Sequence, residues 1–290
     1  MNALVLCAAV ASALIAPAAL VAPPAPDDRA RLDSIADATA RDIARFADKR
    51  VAVAEGYRRV GPDFPGMGEH WVHPGLLLAG TLDSRRPTML AYANIAGRPT
   101  LLGAGFVLAT RGDAIADAPG WPTHWHEHSG LLAEASGVRA SSIGATATET
   151  HIWILHIWTS LPNPSGRYGA DNWALPFAQH GIVAPAAVDH DAGQAAGLTL
   201  AGGDDYLRNA LSVAGLRTPA REAEVDAAIV EAAAAATKVI VRAREELVAS
   251  AADTEALRGI WGALRTRLRA ALGPEVDVLL TPAPAHAHAR

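Results

Sequence analysis

Apolar residues recur at helical spacing near both ends of the chain. Residues 28–54 contain an apolar stripe made of Leu32, Ile35, Ala36, Ile43 and Phe46. Charged residues lie between these positions, and Thr39 is the one polar residue on the stripe. Such spacing indicates an amphipathic helix, which Gly56 would end. In the C-terminal third, a short helix is predicted at 203–215, and two longer stripes follow. The first contains Val225, Ile229, Ala232, Ala236, Val239 and Ala243.

The second C-terminal stripe contains Leu257, Ile260, Leu264, Leu268 and Leu272. The start of the first long helix is predicted at Thr218-Pro219, a cap residue followed by proline at the first helical position. Asp253 is the predicted cap of the second helix, and Gly273-Pro274 is predicted to end it. The sequence therefore predicts a C-terminal helical hairpin.

The pattern between about residues 67 and 160 is that of short strands. Residues 88–95 and 100–108 flank the turn Ala96-Gly97-Arg98-Pro99 and predict a hairpin, while 121–128 and 146–159 are further strand candidates. Residues 57–67, rich in Gly and Pro, are predicted to form a loop. We expect an α+β fold with a small, mainly antiparallel sheet or a partial barrel, flanked by an N-terminal helix and a C-terminal helical hairpin.

The first 26 residues differ from the rest in composition. Residues 3–22 are almost purely apolar and are followed by a proline-rich stretch at 23–26. The segment resembles a cleaved secretory signal, but it has no preceding Lys or Arg and is long enough to span a bilayer. A retained membrane anchor and an internal helix therefore stay open. Export to the periplasm or the exterior is the expectation, with membrane contact only if the segment is retained.

Four segments follow from these boundaries. Residues 1–26 form the signal or anchor with its linker, and 27–200 form a helix with a β-rich metal-binding core. Residues 201–282 form a helical segment packed on that core, and 283–290 are predicted to be a disordered tail. The sequence does not indicate an oligomeric state.

The composition limits the partners and the kinds of metal site that the chain can have. The 290 residues carry a net charge of −5 with no dense Lys/Arg patch, which argues against a nucleic-acid partner. The single cysteine, Cys7, lies in the N-terminal apolar run, so disulfide frameworks and cysteine-based metal or redox motifs are excluded. Any metal site must use nitrogen and oxygen ligands.

Histidines supply that candidate chemistry. Of the 11 histidines, seven fall between residues 70 and 156. His124, His126 and His128 lie at every second position of THWHEHSG, and alternate side chains of a strand share a face. Imidazoles so placed can reach one metal ion at about 2.0–2.1 Å, and they suit zinc best here, with copper or iron as alternatives. The competing interpretation is a polar edge strand with incidental histidines.

Two further segments offer ligands and carboxylates. His151 and His156 are five residues apart, so a regular strand would bring only one of them to the site. In GEHWVHPG, His70 is a candidate ligand. Glu69 and Glu149 are candidates for orienting an imidazole or acting as a general base, and both rank above Glu127 because a strand would point Glu127 away from its neighbouring histidines.

Two resemblances bear on the choice of ligands. The spacing of His124-Trp125-His126 and Glu149-Thr150-His151 is similar to that of the three-histidine zinc site of α-carbonic anhydrases, in spacing alone. A second pattern resembles a group of uncharacterised secreted bacterial proteins, over about residues 65–180. It consists of W-H-x-H-x-x-L from Trp125, L-H-x-W from Leu155 and N-P-x-G from Asn163. The second resemblance implies His126, His128 and His156 as the matched histidines, and it implies no reaction.

The sequence leaves three functional hypotheses. The first is an exported metalloenzyme in which a divalent transition metal activates water or oxygen for an unidentified small-molecule substrate. The second is a non-catalytic periplasmic or extracellular zinc- or copper-binding protein. The third is a structural or binding module in which the histidines are incidental or in which a metal only stabilises the sheet. The predicted ligands are His70, His124, His126, His128 and His156.

Overall fold

In a computed structural model of the protein, residues 26–80, 82–111, 122, 124–129 and 150–281 are described. The predicted N-terminal signal, the C-terminal tail and Glu149 lie outside these residues. Within them the chain is α+β, as the sequence predicts, and the sheet is antiparallel and open. No helix in this part of the chain combines the length and the apolar character needed to span a membrane.

The predicted N-terminal helix is interrupted. Helix α1 spans Pro26–Ile43, a 3-10 turn covers Ala44–Ala47, and α2 spans Lys49–Ala54. The break occurs at Asp48, which has an extended backbone and whose side chain accepts a hydrogen bond from the amide of Arg50 at the start of α2. The predicted apolar stripe is otherwise correct, and Thr39 on this stripe is fully buried.

Within the described residues, six strands form the sheet in the order β1-β2-β3-β4-β6-β5. Their bounds are β1 Arg58–Phe64, β2 Gly68–Val72, β3 Met89–Ile95, β4 Arg98–Arg111, β5 His126–Ser129 and β6 Thr150–Trp158. The predicted hairpin is confirmed as β3 and β4, whose turn has positive φ at Ala96 and Gly97. The prediction of a loop at 57–67 is wrong for the residues that form β1. This strand contains Gly61 and Pro62, which are tolerated because β1 lies at the edge of the sheet.

The helices α1 and α2 cover one face of the sheet. Tyr92 donates a hydrogen bond to the carbonyl of Phe46 at 2.7 Å, and Tyr168 donates one to the carbonyl of Leu32 at 2.5 Å. Phe106 and Leu155 are fully buried in the same cluster. We call this the helix-covered face.

We infer that the opposite face of the sheet is concave. His70 on β2 and His156 on β6 are separated by β3 and β4, which in a flat sheet would place their backbones about 14 Å apart. Their ring centroids are only 5.9 Å apart. The intervening positions on this face are Ala91, Gly103, Gly105 and Met89, and all except Met89 are small. We infer that the sheet bends around these small residues.

Further helices lie between β2 and β3 and after β6 in the described part of the chain. A short helix α3, Pro74–Ala79, joins β2 to β3, and α4 spans Leu175–Gln179. The remaining bounds are α5 His190–Gly197, α6 Gly203–Val213, α7 Glu222–Glu246, α8 Ala251–Leu272 and α9 Asp277–Leu280. Helices α4 and α5 are missing from the sequence prediction, because each is too short to show a clear apolar period.

The predicted helical hairpin is α7 packed on α8. All six residues of the first predicted stripe are buried, and so are Leu257, Leu264, Leu268 and Leu272 of the second. Helix α7 begins at Glu222, after a turn that starts at Thr218. Helix α8 is capped by Ser250, and the predicted cap Asp253 instead completes a capping box with it. Gly273 ends the helix as predicted.

Candidate functional site

Three histidines from three strands meet on the concave face. His70 lies opposite Ala91 in the register of β2 with β3, and His156 lies opposite Gly105 in the register of β6 with β4. His126 lies opposite Ile154, two residues from His156 along β6. Directly paired residues of antiparallel strands share a face, so all three imidazoles are on the concave side. We call these three residues the histidine cluster.

The rings of the cluster are close together. The ring centroids of His126 and His156 are 5.1 Å apart, with the ring planes at 80°. Those of His70 and His156 are 5.9 Å apart at 64°. His156 is buried, while His70 and His126 are half-buried. The sheet thus places two imidazoles, those of His70 and His126, beside the central imidazole of His156.

A hydrogen bond orients His156. Its Nδ1 lies 2.6 Å from the carbonyl oxygen of Ala170. A carbonyl oxygen only accepts, so Nδ1 carries the hydrogen, and the lone pair of the neutral ring is on Nε2. The next inward side chain, Trp158, donates to the carbonyl of Gly169 at 2.7 Å. These bonds fix the loop after β6 against the cluster.

Aromatic side chains wall the cluster. Phe64 stacks on His70 with ring centroids 4.6 Å apart and planes at 23°. Tyr206 of α6 packs edge-on against Phe64 at 5.4 Å, and Trp158 packs edge-on against His156 at 5.8 Å. The imidazoles therefore lie among rings from β1, β6 and α6, where the local polarity is low.

Two residues of this region, Asp171 and Tyr206, have shifted pKa values. Burial raises the pKa of Asp171 to about 7. Burial, to which the charge of Asp171 adds, raises the pKa of Tyr206 to about 12. Sequence analysis missed both residues. Asp171 follows the N-P-x-G motif by a few positions, within YGADNW, and proximity to that motif is the one signal that could have pointed to it.

The structure does not bring Glu69 to the histidine cluster. Its neighbour His70 faces the concave side, and Glu69 itself pairs with Tyr92 on the helix-covered face. Its carboxylate accepts hydrogen bonds from Lys49 at 2.6 Å and Trp71 at 2.9 Å. Burial raises the pKa of Glu69, but these hydrogen bonds outweigh it and hold the pKa below its usual value. This position corrects the prediction that Glu69 orients an imidazole or acts as a base.

His124 also lies outside the strand in which the sequence predicts that His124, His126 and His128 share a face. Strand β5 begins at His126, so the strand geometry that would align His124 with it does not extend that far. The exposed ring of His124 stacks on Tyr168 at 5.3 Å, and Tyr168 belongs to the helix-covered face. For His128 the structure describes the backbone in β5, opposite Ile152. Glu149 is outside the described residues.

Other histidines have structural roles. His73 caps α3, accepting the amide of Leu76 at Nδ1. His180 is hydrogen-bonded to Thr199, and His190 lies between Trp173 and Trp261 in the helical core. Burial lowers the pKa of both His180 and His190, which favours their neutral forms.

No arrangement able to hold a metal ion is already formed among the described His, Cys, Asp and Glu side chains, taken three or more at a time. Comparisons of the chain with protein-family models, with curated proteins and with solved structures gave no match.

Proposed function

We propose that the protein binds one divalent transition metal ion through His70, His126 and His156, and uses it to activate water for hydrolysis. Zinc is the first candidate, with copper and iron as alternatives. The observation that carries the proposal is the meeting of three imidazoles from three strands, with ring centroids 5.1 and 5.9 Å apart.

These separations are in the range that shared coordination requires. With a metal–nitrogen distance of about 2.0–2.1 Å, an imidazole centroid lies about 3.2 Å from the ion, so two tetrahedral ligands have centroids about 5.2 Å apart. Because no ligating arrangement is already formed among the described side chains, the proposal includes rotation of at least one imidazole. Such a rotation changes the side-chain torsions alone, while the strands hold the backbones in place.

The orientation of His156 supports the same function. Metal-ligating histidines commonly donate their second ring N–H to a carbonyl or carboxylate, which fixes the tautomer and makes the ligating nitrogen more basic. In His156 the bond from Nδ1 to the Ala170 carbonyl has this form and leaves Nε2 as the ligating atom. An incidental buried histidine would have no need of the other two imidazoles beside it.

Three protein ligands leave a position for water, which distinguishes an enzyme from a closed storage site. His70, His126 and His156 would hold the zinc, which would supply a bound water with a pKa of about 7. The surrounding aromatic rings would limit access to small substrates. The runner-up function, a non-catalytic metal carrier, needs a fourth protein ligand to close the site, and His128 is the candidate for it. Export of the mature chain stays a prediction.

Elemental mass spectrometry of the untagged full-length protein tests metal binding. We expect about one zinc, copper or iron per chain after reconstitution, and at least about a 100-fold loss of affinity in His126→Ala and in His156→Ala, because each removes a ligand. Two control variants make the same change from histidine to alanine outside the proposed ligand set. His124→Ala and the tail double variant His286→Ala/His288→Ala should keep the metal.

The outcomes separate the alternatives. Loss of metal in His124→Ala would contradict the proposed ligand set. Loss in the tail variant alone would assign the metal to the C-terminal histidines. A wild-type protein that binds no metal after reconstitution would overturn the proposal altogether.

A further inference from the structure

Exposed apolar side chains are concentrated where α7 turns into α8. Among the described residues, four of the nine large apolar side chains that are exposed belong to this region, namely Val183, Val241, Leu247 and Val248. Single exposed apolar residues are common on soluble proteins, whereas a contiguous group is typical of a surface that another molecule covers. We call these four residues the turn patch.

The backbone brings the members of the turn patch together. Val183 pairs with Val248 in a parallel bridge. In this bridge the amide of Val183 donates to the carbonyl of Leu247, and the amide of Ala249 donates to the carbonyl of Val183, both at 3.0 Å. Val241 lies on the side of α7 opposite its buried stripe, about two turns before Val248. The turn patch therefore extends from the last turns of α7 to the loop that carries Val183.

The backbone of Leu247 is unusual for an exposed leucine. Leu247 follows the last residue of α7 and has a φ of 57°. This left-handed conformation is strained for leucine, and glycine commonly occupies it at the end of a helix. Because 64% of Leu247 is exposed, packing within the chain does little to offset the strain. A partner that covers this side chain would offset it.

Two exposed charges beside Val241 indicate which partner fits. Lys238 and Glu245 are seven residues apart on α7, so both flank Val241 on the same side of the helix. Among the described residues, no ion pair or hydrogen bond reaches either side chain. When two copies of α7 pack antiparallel about Val241, Lys238 of each copy lies opposite Glu245 of the other. Parallel copies would instead place Lys238 level with Lys238, where the charges repel.

We propose that the turn patch is the contact between two copies of this chain, paired antiparallel about Val241 and joined by two ion pairs between Lys238 and Glu245. The inference is independent of the proposed metal site. The contact is short, because α7 ends at Glu246 and overlaps its copy over about two and a half turns. A small contact is typical of a weak, reversible dimer, so we expect a Kd of about 100 µM.

Sedimentation equilibrium of the full-length protein tests the dimer, from about 1 to 500 µM in about 150 mM salt, which screens distant charges. Val241→Glu should raise the Kd at least about 10-fold, because a carboxylate buried in an apolar contact is unfavourable. Val230→Glu is the matched control. It makes the same change at a 55% exposed position about 16 Å away along α7, and it should leave the Kd unchanged. Circular dichroism should show both variants folded.

Charge exchange tests the antiparallel arrangement. Lys238→Glu should raise the Kd by about 5-fold, because it replaces two attractive pairs with two repulsive ones. The double variant Lys238→Glu/Glu245→Lys should restore the wild-type Kd, because both pairs are then reversed and neither is lost. Failure of the double variant to restore the dimer would contradict the antiparallel register.

A distance measurement gives the same answer without affinities. Electron–electron resonance between nitroxides at Ala227→Cys, in a Cys7→Ser background, should show about 40–45 Å in the antiparallel dimer, at about 1.5 Å per residue. Parallel copies would bring the labels within about 20 Å, which would overturn the proposal.

The remaining outcomes are decisive as well. A chain that stays monomeric up to about 500 µM, or a dimer that Val241→Glu leaves unchanged, would overturn the proposal. If that monomer bound phosphatidylglycerol vesicles and Val241→Glu abolished the binding, the turn patch would be assigned to a lipid surface instead.

Discussion

The variant Gly103→Ala is expected to lower the free energy of unfolding by about 3 kcal/mol. A Cβ at this position would lie 2.1 Å from the carbonyl oxygen of Ile157 and 3.2 Å from the Cα of Trp158. Both are backbone atoms of β6, so no side-chain rotation relieves the clash. Strands β4 and β6 must separate, which also displaces His156. Urea denaturation followed by circular dichroism measures the loss.

A glycine with open surroundings provides the control for Gly103. Gly259 lies on the exposed side of α8, and a Cβ there would meet nothing within 4 Å. Gly259→Ala should raise the unfolding free energy by about 0.5–1 kcal/mol, because alanine restricts the unfolded helix segment more than glycine does. If Gly103→Ala were as stable as the wild type, the register of β4 with β6 would be wrong.

The variant Trp261→Ala is expected to cost about 3–5 kcal/mol. Trp261 is 2% exposed in the core of the C-terminal helices, and its indole donates to the carbonyl of Leu280 at 3.2 Å. Truncation removes the largest of the fully buried side chains, leaves a cavity beside His190 and deprives Leu280 of its donor. Thermal and urea unfolding measure the effect.

Two further variants calibrate the Trp261 result. Trp261→Phe keeps most of the volume and should lose about half as much stability, while Val230→Ala, at a 55% exposed position on α7, should change it by less than about 0.5 kcal/mol. A loss below about 1 kcal/mol in Trp261→Ala would show that this residue does not lie in a packed core.

The elements predicted from sequence are those with long, regular patterns. The stripes of α7 and α8 could be predicted because every third or fourth residue must be buried against a neighbouring helix. The hairpin of β3 and β4 could be predicted because its turn contains Gly97, which adopts positive φ. The edge strand β1 could not, because Gly61 and Pro62 are unfavourable in strands except at an edge, and the edge is a property of the whole sheet.

Part of the candidate site could be predicted from the sequence, because alternation along a strand is a local pattern. Alternation along a strand places His126 on one face, but it cannot say which other strands curve toward it. We infer that the curvature depends on Gly103 and Gly105 of β4, and their small size can be interpreted only once the register with β6 is known. Sequence reasoning also could not find Asp171, because the burial that raises its pKa comes from the folded chain and not from a local sequence pattern.

We propose that His70, His126 and His156 bind one metal ion. X-ray absorption spectroscopy of the zinc-loaded protein tests it most directly, because outer-shell scattering counts imidazole ligands. We predict about three imidazoles and at least one oxygen ligand at about 2.0–2.1 Å, falling to about two imidazoles in His126→Ala. A zinc shell of oxygen atoms alone, or an imidazole count that His126→Ala leaves unchanged, would contradict the account.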